Sequence, residues 1–366
     1  MTPYILLCIC FFTGSIINSL RFGNEVRIAH YFKTYIVFFM FYLPLVIVSG
    51  FRYKVGTDYN TYENIFYQII NGNNDLKSLN IEWGYYILNK IGMFLFENPQ
   101  IIFLLSTIII ITFYTLGIIR RSNDIIFSFW TFLGLGMFFN SMNGLRQFIA
   151  ISIIFYAYSF LEKDKFRSFI LLGLVACLFH TTAIIPLFAG FVIKFLPNRI
   201  FFISSGVISF IALVSSNIIT NILYKYGIYT FYLNNSQSFM NGGLSYFNIL
   251  LALIAITMTL FFYKNLGEEK EIFIRFKLIW IGFLLVTCFS NFGDLAVRIA
   301  FYFTSTYIVL FANLVNKIHD KKISSIIKFI CYGLFLFITF YLLINNNNTG
   351  LKLLPFSFRS VFWLEY

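Results

Sequence analysis

The chain has 366 residues, of which 59% are hydrophobic, 21% are aromatic and only 11% are charged. A soluble globular domain carries about 25% charged residues, so the composition excludes a soluble protein and predicts an integral membrane protein. The net charge of +12 is typical of basic cytoplasmic loops that set membrane orientation, and we expect no nucleic-acid partner. The cysteines lie in apolar stretches without the spacing of a metal or redox site: Cys8, Cys10, Cys177, Cys288 and Cys331.

A transmembrane helix needs about 20 apolar residues, with a usual range of roughly 17 to 25. Apolar segments recur along the whole chain and predict an all-α, polytopic fold with about 12 transmembrane helices. They leave no soluble domain, long linker or repeat, so residues 1–366 are interpreted as a single transmembrane domain. The predicted spans are 4–20, 34–50, 101–119, 124–140, 148–161, 168–180, 183–196, 200–216, 246–263, 278–290, 299–315 and 323–344.

Lys and Arg are concentrated in alternate loops, beginning with residues 21–33 and including the loop with Lys264, Lys270, Arg275 and Lys277. The positive-inside rule places these loops in the cytoplasm and both termini on the extracytoplasmic side. Residues 1–20 lack the basic start and the cleavage site of a signal peptide, and are interpreted as the first span. The large external loops are then 51–100 and 217–245. The stretch 83–96 must be an interfacial or re-entrant helix, because another crossing would invert every later loop.

Ionisable residues near the apolar segments are informative, because a charge at the bilayer centre costs about 2.5–3.5 kcal/mol on insertion scales. Five groups of such residues lie at external span ends or in external loops. In the first, FRYKVGTDY at 51–59, Gly56 permits a tight turn, and Asp58 either caps the next helix or belongs to a site. In the second, EWGY at 82–85, Glu82 is likewise a helix cap or a site residue, with Trp83 as an interface anchor.

The third group, NSMNGLRQ at 140–147, leads into the fifth predicted span. Arg146 places a cation at the start of a helix, where the macrodipole disfavours it unless an anion is nearby. We therefore interpret Arg146 as an anion-binding residue. The fourth group is CLFHTT at 177–182, in which His180 is embedded in an apolar run. This histidine is either a packing residue or a site residue.

The fifth group, NFGDLAVR at 291–298, places Asp294 and Arg298 four residues apart and hence on one face of a helix. The two either neutralise each other or form an anion site in which Asp294 orients Arg298. Together with Arg52 and Arg146, Arg298 gives the external face three arginines. Arginine binds phosphate through paired hydrogen bonds and keeps its charge in apolar surroundings. The pattern therefore favours a phosphate-bearing lipid or sugar over a hydrophobic drug or a cation.

Four segments carry a resemblance to a known family: FRYKVGTDYNTY at 51–62, EWGYYILNKIG at 82–92, NGLRQFIAISIIFYAYSFLEKDK at 143–165 and LFHTTAIIPL at 178–187. In order and spacing they resemble the G-x-D-Y, E-x-G-Y, R-Q-x-x-A and F-H-x-[ST]-A elements of the EpsG/Wzy-type bacterial polysaccharide polymerases, which include O-antigen polymerases. Trp83 stands where the family usually has proline. The second half of the chain is similar in hydropathy, with a loose match at Asp294 and Arg298.

The resemblance implies a membrane glycosyltransferase that moves the growing glycan from undecaprenyl pyrophosphate onto a new lipid-linked repeat unit. It also implies a single polymerase domain in the bacterial inner membrane, with the active site facing the periplasm. Asp58 and His180 are the candidate bases. Because pyrophosphate leaves readily, we expect a metal-independent, inverting enzyme without a cofactor. Substrate or pyrophosphate binding is assigned to the other polar residues: Arg146, Arg298, Arg52, Gln147, Asn143, Glu82, Asp294 and Tyr59.

The expected partners are lipid-linked oligosaccharides, membrane lipid and, as a candidate, a chain-length regulator. Two alternatives have similar requirements. A flippase for lipid-linked oligosaccharides should carry cations along the middle of its helices and have pseudo-symmetric halves, whereas a polysaccharide ligase uses the same donor with a different acceptor. A membrane acyltransferase would present a histidine reached from the cytosol, whereas His180 is predicted to lie outside.

Overall fold

A computed structural model describes residues 1–19, 33–214, 246–263, 270–288, 294–345 and 351–361. The described part is helical apart from one two-stranded antiparallel sheet, which pairs β1 (Arg52–Tyr53) with β2 (Ser357–Phe358). The predicted all-α class is thus confirmed, with a small sheet added. The helices are α1 (Thr2–Ser19), α2 (Lys33–Gly50), α3 (Tyr59–Ile70), α4 (Leu76–Leu79), α5 (Trp83–Leu95), α6 (Gln100–Arg121), α7 (Ile125–Gly134), α8 (Met137–Ser141), α9 (Leu145–Glu162), α10 (Phe166–Cys177), α11 (Ile184–Phe195), α12 (Asn198–Val214), α13 (Tyr246–Tyr263), α14 (Lys270–Cys288), α15 (Asp294–Thr304), α16 (Tyr307–Asn316) and α17 (Lys321–Ile344).

Long apolar helices make this a multi-pass membrane protein. Within the described ranges, five helical segments are long and apolar enough to cross a membrane: Lys33–Gly50, Gln100–Arg121, Leu145–Glu162, Leu295–Asn316 and Lys321–Ile344. The other predicted spans also fall on helices, most of them shorter, as far as their residues are described. Twelve crossings and the orientation in the membrane stay predictions, and loop 217–245 lies outside the described residues.

Helix α17 illustrates why lipid is required. Only 17% of its most apolar window is buried inside the protein, and Phe329, Phe337 and Ile344 are exposed along its length. An apolar surface of this extent on a monomer marks a lipid or partner contact, because it is too large to be stable in water. Within the bilayer the same surface needs no cover.

Helix α9 lies at the centre of the fold. The protein buries 83% of its residues, and they are apolar around the whole circumference, as expected for a helix enclosed by others. It packs against α6, α10 and α15. Arg121 at the end of α6 contacts Glu162 at the end of α9 at 2.7 Å, so the two helices run in the same direction. Their starts define one polar face and their ends define the opposite face.

Three predicted spans have different boundaries in the structure. The predicted span 124–140 is divided into α7 and α8, and 299–315 into α15 and α16. Helix α14 begins before the predicted span 278–290, so the placement of Arg275 and Lys277 in a loop is wrong: both are buried in the helix. Burial is tolerated because Arg275 pairs with Glu162 at 2.8 Å, and because the Lys277 amine donates to the Ile193 carbonyl at 3.1 Å.

Residues 351–359, hereafter the C-terminal strap, lie across the face where α6 and α9 begin. The strap carries β2, and the Lys352 carbonyl accepts a hydrogen bond from the Gly56 N–H at 2.9 Å. The hydroxyl of Tyr4 in α1 donates to the Leu353 carbonyl at 3.1 Å. The start of α1 and the strap therefore lie at the same face as β1.

Candidate active site

The polar groups identified in the sequence gather at the face where α6 and α9 begin. Glu82 directly precedes α5, Arg146 is the second residue of α9, and His180 follows the end of α10. Asp58 directly precedes α3, and Arg298 lies in the second turn of α15. The structure brings Glu82, Arg146 and His180 into direct contact.

Glu82 is the centre of this contact. Its Oε2 accepts a hydrogen bond from Arg146 Nη1 at 2.7 Å, and its Oε1 lies 2.9 Å from His180 Nδ1. Oε1 also accepts a hydrogen bond from the Thr181 backbone N–H at 3.3 Å. Glu82 occupies the N-cap position of α5, but its side chain makes no capping hydrogen bond. Its carboxylate serves the arginine and the histidine instead.

The protonation pattern of this cluster follows from its geometry. Burial raises the pKa of the Glu82 carboxyl, but the hydrogen bond with His180 and the charge of Arg146 outweigh burial, and the net pKa is lowered. Glu82 is therefore ionised at neutral pH and can only accept hydrogen bonds, which assigns the shared proton to His180 Nδ1. A neutral His180 then carries its lone pair on Nε2. With 24% of its side chain exposed, His180 remains partly accessible from outside the protein.

A backbone contact holds α5 against the end of α10 and so brings Glu82 to His180. The Gly84 N–H donates to the Leu178 carbonyl at 2.7 Å. A Cβ atom at position 84 would lie 2.7 Å from the same oxygen, which is closer than such atoms can approach. The glycine of the EWGY segment is thus required for the close approach of these two elements.

Arg146 is held from two sides and remains partly accessible. Its Nη1 also donates to the Asn80 carbonyl at 2.8 Å, and 22% of its side chain is exposed. Tyr62 lies beside it: burial raises the pKa of the Tyr62 phenol to about 12, against the opposing effect of the Arg146 charge. The anion that offsets the unfavourable interaction of Arg146 with the helix dipole is Glu82. It comes from the second group of polar residues, at 82–85, whereas Arg146 belongs to the third.

Asp58 lies in the electrostatic field of the site arginines. It precedes α3 without making a capping hydrogen bond, and its Oδ1 accepts one from the Thr57 hydroxyl at 3.2 Å. Burial raises the pKa of the Asp58 carboxyl, and the charges of Arg298, Arg146 and Arg52 partly offset this rise. The pKa values of the Asp58 and Glu82 carboxyls are therefore shifted in opposite directions.

Asn143 positions the turn that carries Asp58. Its Oδ1 accepts a hydrogen bond from the Thr57 N–H at 2.7 Å, and its Nδ2 donates to the Leu351 carbonyl at 3.2 Å. Gly56 in this turn has a φ of +99°, and a Cβ atom there would lie 2.6 Å from Asn143 Oδ1. The turn thus depends on glycine both for its backbone conformation and for its packing.

Arg52 and Tyr59, both predicted to bind substrate, lie behind the site. Arg52 is fully buried and donates to the backbone carbonyls of Val55 at 3.3 Å and Met142 at 2.7 Å. The Tyr59 hydroxyl donates to Gln100 Oε1 at 3.1 Å. We therefore infer a supporting role for both residues. Sequence analysis does not identify Gln100. The only sequence feature that points to it is its position as a polar residue directly before the predicted span 101–119.

Gln147 and Arg298 connect α9 to α15. Gln147 Nε2 donates to the Arg298 carbonyl at 2.9 Å, and the half-buried Arg298 exerts the largest of the charge effects on Asp58. Asp294 begins α15, but its side chain lies outside the described part of the chain. Its pairing with Arg298 stays a prediction.

The full set of motifs matches one known family. The sequence model of the EpsG family matches residues 35–358, which includes all of these site residues. The chain belongs to the EpsG family. This is the family of Wzy-type polysaccharide polymerases, so the resemblance found in the first half of the sequence is confirmed. A comparison with curated proteins gave no match, and a comparison with solved structures gave none either.

Membership in the EpsG family gives the polar face a chemical context. A polysaccharide polymerase of this kind is a glycosyltransferase-like membrane enzyme that acts on lipid-linked oligosaccharides. Within the described residues, no three His, Cys, Asp or Glu side chains form a group suited to bind a metal ion.

Proposed function

We propose that the protein is an O-antigen or exopolysaccharide polymerase that moves the growing glycan from undecaprenyl pyrophosphate onto a new lipid-linked repeat unit. The observation that carries this proposal is the sharing of Glu82 by Arg146 and His180 at one face of the bundle. The arrangement supplies a cation for a departing pyrophosphate and a base for an incoming hydroxyl, held together by one carboxylate.

The reaction requires one bond to break and one to form at the anomeric carbon of the donor sugar. The bond to the pyrophosphate oxygen breaks, and its electron pair leaves with the pyrophosphate. The acceptor hydroxyl attacks the same carbon from the opposite side, so the anomeric configuration is inverted. His180 Nε2 takes the proton of that hydroxyl, and Glu82 stabilises the imidazolium that forms.

Arg146 and Arg298 stabilise the charge that develops on the leaving pyrophosphate. Fixed cations in partly buried surroundings do this effectively, because they need not reorganise during the reaction. Asp58, whose carboxyl lies in the field of both arginines, orients them and is the second candidate base. In this proposal Gln147 and Asn143 position the arginines and the Asp58 turn, and the site faces the periplasm.

Deletion of the gene followed by gel analysis of the surface polysaccharide tests the proposal. A strain without a polymerase should display single repeat units in place of a ladder, and complementation should restore the ladder. Loss of polysaccharide from its final carrier would instead indicate a ligase, and accumulation of lipid-linked units on the cytoplasmic side would indicate a flippase. Either result would overturn the proposal.

A further inference from the structure

A second polar site lies at the opposite face of the bundle, where α6, α9 and α16 end. It is a partly open cavity of about 450 Å³, which is within the size range of ligand pockets. Helix α6 has 22 residues and therefore separates this cavity from the site at Glu82 by about 33 Å. The two sites share no residue.

The floor of the cavity is a buried charge cluster. Glu162 accepts hydrogen bonds from Arg121 Nη2 at 2.7 Å and from Arg275 Nη2 at 2.8 Å. Asn313 fixes the adjoining backbone, accepting from the Asn123 N–H at 2.7 Å and donating to the Arg121 carbonyl at 2.9 Å. These side chains are all nearly inaccessible, so the floor is preorganised and rigid.

The described residues that line the cavity carry more positive than negative charge. Its lining carries Arg120, Arg121, Lys163, Arg275 and Lys317 together with Glu271. Among the described residues of the lining and floor, with Glu162 included, five cations face two carboxylates, an excess of three positive charges. Helix C-termini also attract cations, but each supplies only about half a negative charge. The start of α14, which also lines the cavity, carries about half a positive charge and cancels one of these ends. The helix termini together therefore offset about one of the three excess positive charges.

We propose that this cavity binds a phosphate-bearing anion, either the headgroup of an anionic lipid or a soluble phosphate compound. Lysine binds phosphate as a point charge, and arginine does so through a planar set of donors. The Arg120 guanidinium is already oriented, since it lies over the Phe160 ring at 4.6 Å and donates to the Tyr156 hydroxyl at 2.7 Å. The cavity thus combines a fixed floor with cations at its rim.

The test uses the full chain with Arg146→Ala, which removes the main phosphate-binding group of the opposite face. Inorganic pyrophosphate is titrated by calorimetry into this protein in phosphatidylcholine nanodiscs, and retention of phosphatidylglycerol from mixed nanodiscs is measured by native mass spectrometry. The cavity variant adds Lys163→Gln and Lys317→Gln. The matched control adds Lys165→Gln and Lys322→Gln, which remove the same charge from exposed positions outside the cavity lining.

We expect the cavity variant to lose at least about tenfold in affinity for one of the two probes, with the control within about twofold of its parent. Loss of pyrophosphate binding identifies a soluble ligand, and loss of retained phosphatidylglycerol identifies a lipid headgroup. Equal losses in both variants, or no binding of either probe by the Arg146→Ala parent, would overturn the proposal. The floor residues are unchanged, and equal melting temperatures of the two variants verify that the fold is kept.

Discussion

Arg146 and His180 lie on the two oxygens of one carboxylate, with Glu82 Oε2 2.7 Å from Arg146 Nη1 and Oε1 2.9 Å from His180 Nδ1. The position of the arginine and the orientation of the imidazole are therefore coupled. A change at Glu82 alters both, whereas a change at either partner leaves the other hydrogen bond intact. Substitutions at the three residues should therefore differ in their effects.

Replacing Arg146 should damage polymerisation most severely. Loss of one charge-stabilising donor typically costs about 10²- to 10³-fold in rate, or roughly 2.7–4 kcal/mol, so Arg146→Ala should reduce long chains to one or a few repeats. Arg146→Lys keeps the charge without the paired donors and should remain clearly impaired. Chain length and membrane abundance are measured together, with the exposed Arg167→Ala as the control. Normal ladders from a well-expressed Arg146→Ala protein would contradict the assigned role.

Glu82→Gln should lower both activity and stability in a pH-dependent manner. Because the folded-state pKa of Glu82 is lowered, its ionisation stabilises the fold above the ordinary glutamate pKa of about 4.3. That stabilisation is lost as the pH falls through the lowered value. The melting temperature of Glu82→Gln should therefore lie below that of the parent at neutral pH and converge with it in acid. Glu97→Gln removes the same charge from an exposed position in the same segment. Its melting temperature should equal that of the parent at every pH.

The base can be identified by comparing His180→Gln with Asp58→Asn. Removal of a general base typically costs about 10²- to 10⁴-fold, so His180→Gln should nearly abolish polymerisation at normal membrane abundance. Asp58→Asn should have a smaller effect if the carboxyl only orients the arginines. The reverse order would make Asp58 the base. In that case the activity should also decline on acidification from above the ordinary aspartate range, because burial raises the pKa of Asp58.

Gly56→Ala should impair activity beyond its effect on stability. Positive φ strains any alanine by roughly 1 kcal/mol or more, and at position 56 the new Cβ atom would also meet Asn143 Oδ1 at 2.6 Å. Gly72 is a matched control, since its φ is +89° and no atom lies within 4 Å of its added Cβ. Both variants should lose the stability that the φ strain costs, and Gly56→Ala should lose more because of its clash with Asn143. Only Gly56→Ala should displace the Asp58 turn and shorten the polysaccharide. Equal activities would argue against that turn as part of the site.

The orientation in the membrane is tested by cysteine labelling in a background without native cysteines. A cysteine at Asn74 should react with an impermeant thiol reagent in intact spheroplasts, because 51–100 is predicted to be external. One at Lys165 should react only after lysis. Both positions are exposed in the structure. Labelling of the Lys165 position from outside would reverse the predicted map and move the site to the cytoplasm.

The sequence predicts the helical elements of this fold well, because a membrane span leaves a strong apolar signal. It also identifies Glu82, Arg146 and His180 as unusual residues, because charged side chains near the bilayer are costly. Their contact could not be predicted from the sequence. Glu82 and His180 are 98 residues apart. The spacing of residues along a single helix gives no information on which ends of separate helices meet.

Supporting residues were harder to recognise than reacting ones. In the sequence Arg52 looks like a substrate ligand. Its burial behind the site and its hydrogen bonds to backbone carbonyls result from tertiary packing, which the sequence pattern does not reveal. The Arg121, Glu162 and Arg275 cluster was divided between predicted loops and span ends for the same reason. Positive-inside counting treats each cation as solvated, whereas here a single buried carboxylate holds two of them.

The C-terminal strap also has a consequence for biosynthesis. The Ser357 hydroxyl donates to the Tyr53 carbonyl across 304 residues of sequence, so this contact requires that almost the whole chain has been made. During translation, the Asp58 turn therefore gains its contacts with Leu351 and Lys352 only after nearly the whole chain has been synthesised. We expect a partly inserted chain to be unable to process lipid-linked sugars, so that polymerisation begins only when membrane assembly of the strap is complete.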